Sequence, residues 1–233
     1  MMFLGKEPLY QLVISKLEQM SRYLNTMNLA IQSNQQQLIA NLESITKDMG
    51  EEEKSNFYDF HEDDMIEAGS DFPTLLFSSF VISWYSFMEY ELTSICKMLD
   101  LRISVSIKDD TRYGEGIKRA YKFLDEAGGY KIDNKHWQEL DKIRSIRNKL
   151  VHEGGILLPK PVERRKPSVK FEDEDGAIIY LPIENELYCY LKEHNLYQLG
   201  ISRFTPNYDY CNHLINFGTE FLKKVYKDCV LST

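Results

Sequence analysis

The sequence predicts an all-α protein, a helical bundle with a long N-terminal helix and a small β-hairpin insert. Three features point there. Leu17, Leu24, Ile31, Leu38 and Ile45 recur every seven residues, with Met20 and Met27 on the adjacent positions, the spacing of one apolar seam along a long helix. Residues 75–92 are apolar nearly all round, the mark of a central buried helix. Helix-stop glycines and clustered prolines cut the remainder into short segments.

In chain order, residues 8–49 read as the first helix. Its second seam passes to Asn34 and Asn41, so the stripe narrows toward the C-terminal end; packing on the bundle is expected, with a partner coiled coil as the alternative. Gly50 ends it. Between Gly50 and Phe72 there are nine Asp/Glu and one Lys, the composition of an acidic connector. Asp71-Phe72-Pro73 resembles a helix start, with Pro in the first turn, and the central helix follows over 74–100. Another helix, 113–127, stops at Gly128-Gly129. The next, 134–152, is capped by Asp133 or Asn134 and stops at Gly154-Gly155. Pro159, Pro161 and Pro167 make 156–168 a loop. Val169-Lys170-Phe171 and Ala177-Ile178-Ile179-Tyr180 flank an acidic turn ending in Gly176, a β-hairpin. Residues 184–194 read as a short helix, and Thr205-Pro206 opens the last one. Three parts result: a long N-terminal helix in 1–49, an acidic connector in 50–72, and a helical domain in 73–233 with the loop and hairpin inserted at about 156–183.

The chain has 233 residues, with 12 Phe, 15 Tyr and 2 Trp to build a core. The stretch 75–92 contains Glu89, Glu91 and four serines, and each carboxylate would cost about 2.5–3.5 kcal/mol in a bilayer, so no membrane role is expected. Met-Met-Phe-Leu-Gly is too short for a signal-peptide core, and Cys96, Cys189, Cys211 and Cys229 form no CxxC pair. Reduced thiols in a cytoplasmic protein are the expectation. The net charge of −8 argues against indiscriminate nucleic-acid binding. It hides a basic stretch, however: nine Lys/Arg against two Glu from Lys142 to Lys170.

No cofactor or metal is expected. His61, His136, His152, His194 and His213 make no HExxH, and Cys211-Asn212-His213 sets two ligand types too close together for an ordinary zinc site. His61 beside Glu62, Asp63 and Asp64 reads as a solvated acidic loop. Tyr188-Cys189-Tyr190 reads as packing, with base stacking as the alternative. No Gly-rich phosphate loop or GxSxG elbow is present.

What remains is Arg147-Asn148-Lys149-Leu150-Val151-His152. On the 134–152 helix Trp137, Leu140, Ile143, Leu150 and Val151 can face a core, while Arg144, Asn148 and His152 form an i, i+4, i+8 row with Arg147 beside it. The helix dipole favours protonated His152 and the arginines oppose it, a balance suited to proton transfer near neutrality. A guanidinium fork beside it suits phosphate. The rival reading is a basic helix end, which the dipole favours by itself. Chance predicts about 0.2 Arg-x4-His pairs for this composition but only about 0.01 with Asn after the Arg.

The hexapeptide resembles the R-x4-6-H signature of the HEPN superfamily. Asp141-Lys142-Ile143-Arg144-Ser145-Ile146 leads into it and Glu153-Gly154-Gly155 follows; the helix Phe77 to Leu99, with Phe87-Met88-Glu89 at its middle, looks like the one packed beside the motif helix in that family. The resemblance covers about 70–155, and loosely the final helix. It implies a bundle that dimerises and places two motifs across a cleft, and a metal-independent endoribonuclease with a toxin or phage-defence role, with an antitoxin or other regulatory protein as a further partner. Arg147 would polarise the scissile phosphate, His152 would transfer the proton, and Asn148 would orient phosphate or His152. Arg144 and Lys149 would bind substrate, and Glu89 would position Arg147 through an ion pair. The RNA 2′-hydroxyl would attack, leaving a cyclic phosphate. The alternatives are a non-catalytic dimeric module binding nucleic acid, nucleotide or protein, in one version covered by the acidic segment, and a helical scaffold.

Overall fold

A computed structural model of the chain describes residues 6–103, 116–126, 130, 131, 133–155, 169–172, 178–181, 185–197 and 203–231. Most of these are helical. Helix α1 spans Lys6–Thr46, and its inward face carries Val13, Leu17, Leu24, Leu42 and Thr46. The seven-residue seam is followed only at first: Ile45 is 52% exposed, whereas Leu42 is buried. A straight helix turns 3.6 residues per turn, so a strict heptad drifts about 20° per repeat. After four repeats Ile45 stands about 80° from Leu17, while Leu42 and Thr46 return to within about 20° of it.

The acidic stretch 50–72, expected as a connector, is helical over 51–60 and 62–71. Helix α2 (Glu51–Phe60) begins with Glu51, Glu52 and Glu53, and α3 (Glu62–Ile66) with Glu62, Asp63 and Asp64. Carboxylates in a first turn are favoured by the helix dipole, so a run that repels itself as coil is tolerated as two helix starts. A π-helical turn, Glu67–Asp71, leads directly into α4, Phe72–Ile103. Pro73 therefore lies within continuing helix; the π-turn just before it accommodates the hydrogen bond that proline cannot donate.

Helix α4 is the centre. Val81, Trp84, Met88, Leu92, Ile95 and Cys96 are fully buried, and α1, α5, α6 and α8 all pack on it. Helix α5 (Gly116–Glu126) contributes Ile117, Ala120, Phe123 and Leu124. Helix α8 (Tyr208–Tyr226) approaches closely at Gly218, where a Cβ would stand 3.0 Å from the Trp84 ring. Its N-cap is Asn207, whose side chain accepts from the Tyr210 amide at 2.8 Å, rather than the Thr205-Pro206 pair. The Thr205 amide instead donates to the Leu196 carbonyl, and Phe204 bridges to Tyr197. Glu91, 4% exposed, lies 3.6 Å from the Lys16 ammonium and accepts from the Tyr226 hydroxyl. Burial pushes its carboxyl above the usual range; Lys16 and Tyr226 pull it back.

Helix α6 spans Asn134–Glu153 and α7 Asn185–Glu193. Val169–Glu172 (β1) pairs antiparallel with Ile178–Leu181 (β2) in the register Val169 to Leu181. The expected stops at Gly128-Gly129, the loop 156–168 and the turn through Gly176 lie outside the described residues. Among the described residues no helix is long and apolar enough to cross a membrane.

Candidate active site

The helix bearing the hexapeptide is fixed at both ends. Asp133 caps it, accepting from the His136 amide at 3.0 Å. Lys224 donates to the same carboxylate, and with the His136 amide holds it far below the usual carboxylate range. At the far end Gly154 is left-handed (φ 59°), and the Gly155 amide donates to the Lys149 carbonyl at 3.1 Å, a glycine C-cap. Phe204 N–H donates to Gly155 O at 3.0 Å and Arg203 Nε to Gly154 O at 3.1 Å, so the segment before α8 clamps the helix end.

Leu140, Ile143, Ile146 and Leu150 form the buried stripe of α6. Ile146 takes the place expected for Val151, which is 44% exposed, because Val151 stands about 100° around the helix from its neighbour Leu150, at the edge of the buried stripe and in the last turn of α6. Trp137 is partly buried and stacks on Tyr121 at 3.9 Å.

The motif side chains are disposed as follows. Arg147 is half-buried, with its guanidinium 5.4 Å over the ring of Tyr85 on α4, a cation–π geometry. Its Nη1 donates to Asn148 Oδ1 at 3.0 Å, while its buried Nε has no hydrogen-bond partner among the described residues. Asn148 thus engages Arg147. His152 is exposed, and no hydrogen bond or ion pair to its ring occurs among the described residues. Arg144 forks onto Asp141, with Nε at 2.9 Å and Nη2 at 2.8 Å. Lys149 reaches Glu153 at 3.4 Å. Glu89 makes no ion pair with Arg147 among the described residues; its carboxylate lies beside Gly116, where an added Cβ would stand 3.2 Å from it. It acts instead on Tyr85: burial, and then the Glu89 charge, push that phenol up to about 12, against the pull of Arg144 and Arg147.

Helix geometry sets Arg147 and His152 about 7.5 Å apart along the axis and about 140° apart around it. One chain alone therefore points the guanidinium toward α4 and the imidazole outward from the helix end. Two apolar grooves, of about 420 and 450 Å³, run between α1 and α4 past Tyr23, Leu76 and Ser79, away from the hexapeptide.

A second cluster, invisible in sequence spacing, forms about two turns earlier on α6. Glu139, His194 and His213 bring one ligand-type atom each within 4.8 Å of one another. Glu139 Oε1 accepts from His213 Nε2 at 2.8 Å and from the Tyr190 hydroxyl. Burial alone would raise the Glu139 carboxyl, but these hydrogen bonds and the two histidines hold it below its usual range. Burial, reinforced by His213, lowers His194, against the pull of Glu139 and Glu193.

No protein-family model, curated protein or solved structure matches the chain.

Proposed function

We propose that the chain is a metal-independent endoribonuclease of HEPN type, working as a homodimer in a toxin or phage-defence role, with a regulatory protein such as an antitoxin as a further partner. The observation that carries this reading is the contrast at the end of α6. Arg147 is held by Tyr85 and Asn148, and His152 is exposed at the end of a clamped helix. A positioned guanidinium supports phosphate binding and stabilisation of a charged transition state. An exposed imidazole beside a helix C-terminus suits proton transfer. Since the two side chains diverge by about 140° within one helix, the working site in this reading is composed across a two-fold, one chain's helix end facing the other's.

In this mechanism His152 takes the proton from the RNA 2′-hydroxyl, the oxygen attacks the adjacent phosphorus, and Arg147 neutralises the added charge. The 5′-oxygen leaves with a proton supplied by an imidazolium of the paired site or by water, and the product ends in a cyclic phosphate. Arg144 and Lys149 are tied to Asp141 and Glu153, so their part is a secondary contribution to RNA affinity. Glu89 tunes Tyr85, on which Arg147 rests.

His152→Ala lowers RNA cleavage by about 10²–10⁴ while the helical circular-dichroism signal stays unchanged; undiminished cleavage removes the proposal. A second reading, a dimeric module that binds RNA, nucleotide or protein without chemistry, is favoured by the commitment of Arg147 to Asn148 and Tyr85. It predicts that the wild type shifts RNA in a gel without cutting it, and that Arg147→Ala weakens the shift.

A further inference from the structure

The three side chains gathered about two helical turns before the hexapeptide are Glu139 on α6, His194 near the end of α7, and His213 on α8. We propose that they form a zinc site of two imidazoles and one carboxylate, with a fourth position open to water. Three observations combine. Their donor atoms lie within 4.8 Å of one another, so modest side-chain rotation brings them to the roughly 3.3 Å separation of a tetrahedral ion with bonds near 2.0–2.1 Å. Glu139 uses only Oε1, toward His213 and Tyr190; among the described residues Oε2 has no hydrogen-bond partner. The Tyr210 hydroxyl is fully buried beside Tyr190 and Glu139, and among the described residues no partner meets it in good hydrogen-bond geometry. Its ring packs at 5.2 Å on His194 and 6.1 Å on His213. A buried hydroxyl without a well-aligned partner is uncommon, and a water on the open position of the ion would be one such partner.

The scaffold is built in advance of the ion. His194 lies at the end of α7, where Asn195 turns left-handed (φ 54°). Asn207, the cap of α8, donates through Nδ2 to the carbonyls of His194 and Asn195 at 3.3 and 3.2 Å. The hydroxyl of Tyr190 orients the carboxylate from outside, the usual place for a supporting donor. Glu139 and His213 are 20% and 37% exposed, which leaves a path for entry. On binding, the ion takes the place of the proton shared between His213 and Glu139, which leaves to solvent. Lys142, its ammonium 5.2 Å over the Tyr190 ring, opposes a cation here, and Glu193 favours one. The ion would join the end of α7 directly to α6 and α8.

The test uses the full chain, stripped with chelator and titrated with zinc against a chromophoric competitor. Uptake of one equivalent per chain, with a rise in Tm, is expected. Glu139→Gln and His213→Asn abolish the stoichiometric binding, and Tyr190→Phe weakens it about 10–100-fold; His152→Ala leaves it intact. If a variant fails to fold, cobalt(II) added to the wild type decides instead, since a tetrahedral two-histidine site gives an intense visible band. No uptake by the folded wild type, or uptake that both ligand variants retain, overturns the site. Because the readout is binding and not cleavage, its failure leaves the ribonuclease reading untouched.

Discussion

Arg147 is under three constraints at once: its stem is half-buried, its plane lies over Tyr85, and one terminal nitrogen is tied to Asn148. Only a planar fork satisfies the stacking and the hydrogen bond together, so lysine is no equivalent here. The free Nε is an unsatisfied buried donor, the kind of group that costs about 1–3 kcal/mol and that an anionic ligand or ordered water would relieve. Glu91 shows the same physics with the opposite sign. Its carboxyl is raised by burial, so between the ordinary carboxylate pKa and its own, the folded chain holds a proton that the unfolded chain has released. Stability from this group is therefore full at low pH and lost as pH rises through the raised value. Glu91→Gln is expected to flatten that fall and to hold Tm at neutral pH at or above the wild type; a Tm series through the acid range reads it out. A steeper fall in the variant would mean that the Lys16 pair outweighs burial.

At the scale of elements, the end of α6 determines where His152 stands. Both glycines after it are left-handed, but only Gly155 is also crowded: a Cβ there would meet the Phe204 carbonyl oxygen at 2.8 Å, whereas Gly154 has nothing within 4 Å. Gly154→Ala should cost about 1–2 kcal/mol from backbone strain alone, and Gly155→Ala more, because the backbone bridge to Phe204 must also shift. Denaturant unfolding of the two variants checks the order; equal losses would mean the bridge contributes little. The stop at Gly154-Gly155 was readable in sequence because glycine chemistry is local. So was the buried stripe of Leu140, Ile143 and Leu150, which follows the helical period. The α1 seam was readable only over its first half, since a heptad pattern cannot reveal when a straight helix drifts off it and Leu42 replaces Ile45. The helicity of the acidic stretch is hidden for a different reason. Charge repulsion speaks for coil, but the placement of acids in two successive first turns, after Gly50 and His61, speaks for helix, and the second effect won. The Asn207 cap is masked in sequence by Pro206, which favours a helix start two residues earlier than the one observed.

Across the whole molecule, the candidate functional residues lie on a few elements around α4, and sequence spacing reveals them unequally. The hexapeptide lies on one helix, so its members are visible together. Glu139, His194 and His213 come from α6, the end of α7 and α8; their separations in sequence contain no signal, and only the packing of those helices brings them together. Tyr85 was likewise invisible as a partner of Arg147, because the contact joins α4 to α6. The acidic helices α2 and α3 rest against α1, which makes them part of the bundle's outer layer. The central claim remains that Arg147 and His152 cut RNA through its own 2′-hydroxyl. Its most direct measurement is mass spectrometry of the ends produced when purified wild type, in chelator, is incubated with an RNA oligonucleotide and its all-deoxy counterpart. The account predicts cyclic-phosphate ends from the RNA, no cleavage of the DNA, and no products of either kind from an Arg147→Ala, His152→Ala double variant. Intact RNA with the wild type, or the same products from the double variant, would contradict it.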